Sequence, residues 1–263
     1  MTVVKHELRQ GRLSFRIWTG VVGFMLAVCV FLFPEMKGQM EGLSETFASM
    51  GSFTAAFGMD KLNFGTLVGY YAIECGNVMG LGGAFYAALT AVNSLSKEER
   101  GRTAEFLLSH PVSRARIVTE KLIAVLLQVT ALNLAVYLLC LGSIAAIGEE
   151  IPWKTFNLMH LAYFLLSLEL ACICFGISAF LRRGSAGVGL GIAALLYGAN
   201  LIANITESAS FLKYLTPYGY CDGSEIVSSG CLDGGKLAVG AALSLAGIAA
   251  AYLYYTKKDI HCA

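Results

Sequence analysis

The sequence of 263 residues is 56% hydrophobic and only 14% charged, and its mean hydropathy is +0.65. Soluble domains carry about 25% charged residues, so this composition excludes an ordinary soluble protein and indicates a membrane protein. The net charge of +1 also argues against a nucleic-acid-binding surface, which needs a strong basic excess.

The first predicted element is a helix over residues 1–16. Basic residues recur there among apolar ones at helical spacing, at Lys5, Arg9, Arg12 and Arg16. This pattern is typical of an amphipathic helix that lies in the membrane interface and leads into a first span.

Six apolar segments after that helix are long enough to cross a bilayer, which needs about 20 residues. They cover residues 17–33, 64–95, 116–147, 157–181, 186–206 and 235–255. The sequence therefore predicts an all-α, polytopic membrane protein with a single transmembrane domain over residues 1–263.

The Lys and Arg residues predict the orientation, because cytoplasmic segments are enriched in them. With the amino terminus in the cytoplasm, 14 of the 19 Lys and Arg residues fall in inner segments. We therefore expect both termini and the loop 96–114 to be cytoplasmic, with residues 207–234 forming an outer loop.

The loop 96–114 is predicted to hold a short helix. Ser96 followed by Glu99 matches a capping box, and Pro111 disfavours helix at the residue before it. The loop carries both signs of charge, whereas orientation needs only cations, and its helix ends in the apolar residues 106–108. These features favour a surface for a protein partner over a merely solvated turn.

This loop resembles the one between spans two and three in permease subunits of type 2 ABC exporters, such as bacterial drug, bacteriocin and ion exporters. The residues that carry the resemblance are Glu98, Gly101, Thr103, Glu105, Leu107, Leu108, Pro111, Val112, Ser113, Arg114, Ile117 and Lys121. Residues 214–218 and 255–260 are similar to two further stretches of that family, so the resemblance covers the whole chain.

In that family the loop contains the coupling helix, which fits a groove in the ATP-binding subunit. The resemblance implies a multi-pass protein of a bacterial plasma membrane. It also implies two partners, a P-loop ATPase and a second permease subunit that is an identical copy or a paired relative. The residues implied for contact with the ATPase are Glu98, Glu99, Arg100, Arg102, Glu105, Phe106, Leu107, Leu108 and Arg114.

The sequence lacks the Gly-x-x-x-x-Gly-Lys-Ser/Thr motif of P-loop ATPases and common hydrolase and metalloprotease motifs. We therefore expect no catalysis by this chain, with ATP and Mg²⁺ bound by the partner subunit. The four histidines are scattered along the sequence, so neither a metal site nor a resident cofactor is expected.

Two acidic residues, Glu74 and Glu169, fall about 15–18 Å into predicted spans two and four at ~1.5 Å per residue. Ionisable residues near the bilayer middle are costly and suggest function. One hypothesis is that both line a translocation cavity that binds a cationic substrate. The other is that each is protonated and purely structural. Asn77 shares a helix face with Glu74 and is expected to lie within hydrogen-bonding reach of it.

Two glycine pairs in predicted span two have the spacing that lets helices pack closely. The pairs are 11 residues apart, or about three helical turns. A regular helix would therefore place Gly65, Gly69, Gly76 and Gly80 on one stripe, with Glu74 facing away from it.

The outer loop 207–234 contains Cys221 and Cys231, ten positions apart. An exterior compartment would allow a disulfide between them. The family resemblance also implies that this loop forms a partly re-entrant cap between spans five and six.

The favoured function is a permease subunit of an ABC exporter that carries a peptide or a hydrophobic compound. Two alternatives stay open at the level of sequence. An ion-coupled secondary transporter or channel would use Glu74 and Glu169 as relays. A membrane immunity or scaffold protein would bind a ligand without moving it.

Overall fold

A computed structural model describes residues 2–40, 51–59, 61–101, 112–181 and 186–258. Every regular element in these ranges is a helix, which confirms the predicted all-α class. Six helical segments of the described chain are long and apolar enough to cross a membrane, as predicted. These segments, called spans one to six below, are Arg12–Gln39, Leu67–Val92, Arg114–Ala146, Trp153–Phe180, Ala186–Ile205 and Gly234–Lys257.

Shorter helices complete the described structure. Helix Thr2–Gln10 precedes span one, helix Ser52–Ala56 lies between spans one and two, and helix Lys97–Arg100 follows span two. Residues 206–233, called the 206–233 segment, connect spans five and six. Its short helices are Glu207–Ala209, Leu212–Leu215, Pro217–Tyr220 and Gly223–Ser229.

Span two is not a uniform α-helix. It begins as an α-helix at Leu67–Tyr70, continues as a π-helix at Tyr71–Cys75 and returns to an α-helix at Gly76–Val92. A π-helical turn holds more residues than an α-turn and so changes which side chains share a face. Before the helix, Gly65 lies in a turn and donates its backbone N–H to Asn63 Oδ1 at 2.8 Å.

The predicted stripe of four glycines therefore does not form. Gly65 is outside the helix, and Gly69 packs against the backbone of Asn63. Gly76 and Gly80 instead face span four, where a Cβ at Gly76 would lie 2.6 Å from the hydroxyl oxygen of Tyr163. The second pair thus packs against the tyrosine ring, whereas Gly65 lies in the turn before span two and Gly69 lies in its first helical turn, against Asn63.

Span four is the most buried span and packs against spans two and six. Glycines allow a close approach between span four and span six. A Cβ built on Gly176 would lie 2.5 Å from the carbonyl oxygen of Gly247, and one on Gly247 would lie 2.6 Å from that of Cys172. Backbone touches backbone here, which only small residues allow. Neither glycine belongs to a Gly-x-x-x-Gly pair, so the sequence did not indicate this contact.

Replacing Gly176 by alanine should destabilise the bundle, because the added methyl group would overlap the backbone of span six. Overpacking costs roughly 1–3 kcal/mol, which exceeds the ~1 kcal/mol that alanine gains over glycine within a helix. The measurement is the apparent melting temperature in detergent. Gly142→Ala on span three is the matched control, because no neighbouring atom lies within 4 Å of a Cβ placed there. Equal melting of the two variants would contradict the close contact.

Candidate functional site

A buried lysine joins four elements at one end of the bundle. Lys121, near the start of span three, is completely buried. Its ammonium group donates to Glu7 Oε1 at 2.9 Å and to the Ser94 carbonyl oxygen at 2.7 Å, and it also contacts Glu98. An ammonium group has three N–H donors, so the hydrogen-bonding capacity of Lys121 is fully used.

Lys97 completes this group, which we call the Lys121 cluster: Glu7, Lys97, Glu98 and Lys121. Lys97 pairs with the second carboxylate oxygen of Glu7 and donates to Gln10 Oε1 at 2.8 Å. Burial by itself raises the pKa of Glu7, but attraction to Lys121 and Lys97 outweighs burial, and the pKa is lowered from 4.5. The Glu7 carboxylate is therefore ionised at neutral pH and bridges two lysines.

The sequence of the N-terminal helix explains how Glu7 reaches the cluster. Val4 and Glu7 are buried, and residues three apart share a helix face. Lys5, His6 and Arg9 are exposed on the remaining surface of the same helix. The buried face of this helix thus directs Glu7 toward span three, while the basic residues lie on its exposed surface.

Glu120 fastens the first turn of this helix to span three. Its Oε2 accepts from the backbone N–H groups of Val3 at 3.1 Å and Val4 at 3.4 Å, and its Oε1 pairs with Arg116 at 3.0 Å. The first N–H groups of a helix have no partner within the helix, and negative charge is favourable there. Span three therefore holds the N-terminal helix at its start through Glu120 and further along through Glu7.

The two acids in the spans, Glu74 and Glu169, lie in different environments. Glu74 is half-buried in the π-helical part of span two. Asn77 does not bind Glu74 as expected, because its amide donates to the carbonyl oxygen of Ile73 at 2.9 Å and accepts from the Tyr197 hydroxyl at 3.1 Å. Asn77 thus connects span two to span five.

Glu169 lines a cavity of about 440 Å³ between spans three, four and six, which the 206–233 segment also borders. The residue is 4% exposed, and its Oε2 accepts a hydrogen bond from the Tyr220 hydroxyl at 2.9 Å. Glu74 is not among the residues that line this cavity. The two carboxyl groups therefore do not share it.

The 206–233 segment folds back into the bundle. Tyr220 reaches Glu169, which lies 16 residues after the first residue of span four and 11 residues before its last. From span four, Tyr163 donates to the carbonyl oxygen of Cys221 at 3.2 Å. These hydrogen bonds attach the segment to the buried face of span four at Tyr163 and Glu169.

The two cysteines of this segment are not paired. Cys221 is buried, Cys231 is exposed, and both are free thiols. Burial raises the pKa of the Cys221 thiol well above 9.0, so that thiol stays protonated. The disulfide considered from the sequence is not part of this structure.

The sequence model of the ABC-2 family transporter protein matches residues 1–260. The chain belongs to the ABC-2 transporter family. This confirms the resemblance drawn from the loop, and the protein is a multi-pass permease subunit of an ABC transporter. Such permeases are in general non-catalytic membrane subunits that work with an ATP-binding subunit. A comparison with curated proteins finds no match.

The residues expected to contact the ATPase are only partly described in this permease. Glu98 points into the Lys121 cluster, and its Oε2 is buried without a hydrogen-bond partner among the residues that the structure describes. In the sequence, Lys121 was noted only as part of the pattern that resembles the family. In the structure, it is the residue that connects the members of the cluster. The residues of this set outside the described chain are Arg102, Glu105, Phe106, Leu107 and Leu108, and the side chains of Glu99 and Arg100 are likewise not described.

Arg114, another expected contact residue, is used inside the permease. Its guanidinium group donates to the carbonyl oxygens of Lys258 at 2.5 Å and Thr256 at 3.5 Å. Lys258 donates in turn to the carbonyl oxygens of Ala179 at 3.1 Å and Leu181 at 3.3 Å. Basic groups suit the carbonyl-rich ends of helices. The start of span three is therefore tied to the ends of spans four and six.

Replacing Lys121 by methionine should destabilise the permease strongly. The change leaves the carboxyl groups of Glu7 and Glu98 without the buried cation that they share, and breaking a buried ion pair costs about 3–5 kcal/mol. Lys97→Met is the matched control, because Lys97 pairs with the same Glu7 but its side chain is 25% exposed. Apparent melting temperatures should fall further for Lys121→Met, and the reverse order would contradict the central role of Lys121.

Acidification should weaken the same cluster. Because the pKa of Glu7 is lowered below 4.5 in the folded protein, its charge stabilises the fold above pH 4.5, and this contribution is lost as the pH falls through the folded-state value. The melting temperatures of the wild-type and Glu7→Gln permeases should differ most near neutral pH and converge in acid. A difference that does not shrink on acidification would show that the charge of Glu7 is not the stabilising feature.

Proposed function

We propose that this permease is one half of an ABC exporter, which couples ATP hydrolysis by a separate P-loop subunit to the export of a peptide or a hydrophobic compound. The observation that carries the proposal is the Lys121 cluster, because it ties the base of the loop 96–114 to spans two and three. The coupling helix within that loop is supported by the family resemblance.

The cluster would let a force on the loop move several elements together. Lys97 and Glu98 begin the loop, and each pairs with a residue of another element, Glu7 or Lys121. Separating the ion pairs of the buried Lys121 ammonium group is costly, so movement of the whole cluster is easier than its rupture. A displacement of the docked loop would thus reach span three and the N-terminal helix as well as span two.

We place the Lys121 cluster and both termini in the cytoplasm of a bacterium, on the side of the ATPase. The excess of Lys and Arg residues in these segments supports this orientation. The family resemblance implies two permease subunits for a complete pore, so we propose a second subunit that is either identical or related. Exposed leucines on spans five and six, such as Leu195 and Leu245, suit contact with lipid or with that subunit.

The ion-coupled alternative requires Glu74 and Glu169 to act on one path. They lie on different spans, and the cavity beside Glu169 does not include Glu74. A scaffold or immunity protein would need no rigid link between a loop and the spans. The described contacts therefore favour the exporter over both alternatives.

Purification of the tagged chain under mild conditions should recover a P-loop ATPase, identified by mass spectrometry. The double variant Glu99→Arg, Arg102→Glu should lose most of it, since like charges brought together at an interface cost several kcal/mol. Lys37→Glu is the control, because Lys37 pairs with Glu149 at 2.9 Å at the opposite end of the bundle. Recovery that survives the double variant would argue against the loop 96–114 as the docking point. If the wild-type chain recovers no ATPase, the proposed function as an ABC exporter is contradicted.

A further inference from the structure

The cavity beside Glu169 has the size and the lining of a ligand site. Its volume of about 440 Å³ falls within the ~300–1,000 Å³ typical of small-molecule sites. Spans three, four and six each contribute leucine side chains to its walls. Thr130 on span three and Ala241 on span six border the cavity and are exposed, so it opens on the side of the bundle, between spans.

Glu169 has no cationic partner within the described chain. None of the ion pairs formed by the described residues includes it. The hydrogen bond from Tyr220 occupies one of the roughly four acceptor positions of a carboxylate. An uncompensated charge within a membrane is costly, and acids there commonly pair with a cation or mark a ligand path. The carboxyl group thus offers acceptor positions at the wall of a largely apolar cavity.

Span six makes room for this carboxyl group with a glycine. A Cβ on Gly240 would overlap Glu169 Oε2 and lie 2.9 Å from Glu169 Cδ. Any side chain at this position would displace the carboxyl group or fill the space beside it. Ala241 and Ser244 are also small and border the same cavity. Span six therefore contributes a run of small residues, together with Leu237, opposite the leucines of spans three and four.

We propose that this cavity binds a lipophilic organic cation, such as an aryl phosphonium or a hydrophobic amine, which enters sideways from the bilayer. Glu169 is the counter-ion, Tyr220 orients its carboxylate, and the leucines contact the apolar body of the ligand. A neutral compound would leave the acid without a countercharge, and a small inorganic cation would leave the apolar walls unfilled. Binding at this site does not depend on the proposed coupling to an ATPase, so it can be measured on this chain alone.

The test uses tetraphenylphosphonium as the probe and tetraphenylborate as a control of the same shape and opposite charge. Equilibrium dialysis with the full chain in nanodiscs of zwitterionic lipid should show saturable binding of the phosphonium. Glu169→Gln should weaken that binding about tenfold or more, because the attraction between opposite charges in a site of low dielectric constant is lost. Equally tight binding of the borate to the wild-type chain, or undiminished phosphonium binding by Glu169→Gln, would overturn the proposal.

Two further variants locate the site. Ala241→Phe places a ring at the exposed rim, and it should reduce phosphonium binding while the melting temperature stays near that of the wild type. Glu74→Gln removes an acid that does not line the cavity, and its phosphonium binding should equal that of the wild type. Normal binding by Ala241→Phe, or a loss in Glu74→Gln as large as that in Glu169→Gln, would show that the cation does not bind beside Glu169.

Discussion

The burial of one ammonium group, that of Lys121, is the constraint on which one end of the bundle depends. A charge removed from water needs every donor satisfied, and Glu7, Glu98 and the Ser94 carbonyl oxygen supply the three acceptors. These acceptors come from elements that precede span three in the chain. The need to satisfy Lys121 therefore fixes how the N-terminal helix, the end of span two and the start of span three meet, and the loop 96–114 begins from that fixed point.

Glu169 in span four has fewer partners than Lys121, and its partner is uncharged. Glu169 has one neutral donor, the Tyr220 hydroxyl, whereas Lys121 is surrounded by two carboxylates and a carbonyl oxygen. A saturated ion cluster has no capacity left for a ligand and serves to hold elements together. A partly satisfied carboxyl group at the wall of a cavity keeps that capacity. The number and charge of the partners, more than burial itself, separate the structural site from the proposed binding site.

The sequence predicted the six spans because a bilayer demands long apolar helices with internally satisfied backbones, and its loop motif indicated the family. The π-helical stretch Tyr71–Cys75 could not be predicted, because no pattern of residue types specifies that shift in backbone hydrogen bonding. The expected glycine stripe failed for this reason and because the helix begins only at Leu67, after Gly65. The inward direction of Glu98 was missed because it depends on the burial of Lys121, a tertiary contact 23 residues away. Local sequence patterns thus predicted the helices. The roles of charged residues such as Glu98 and Lys121 depend on tertiary contacts, which those patterns do not contain.

Span six shows how one helix face can serve both packing and binding. Gly240 and Gly247 are seven residues apart, about two turns, so both face span four. Gly247 admits the backbone of Cys172, whereas Gly240 admits the carboxyl group of Glu169. Close packing explains the first glycine but not the second, because a flexible side chain could turn away from a methyl group while a backbone could not. A glycine at position 240 instead keeps the carboxyl group at the cavity wall, which is the position that a bound cation requires.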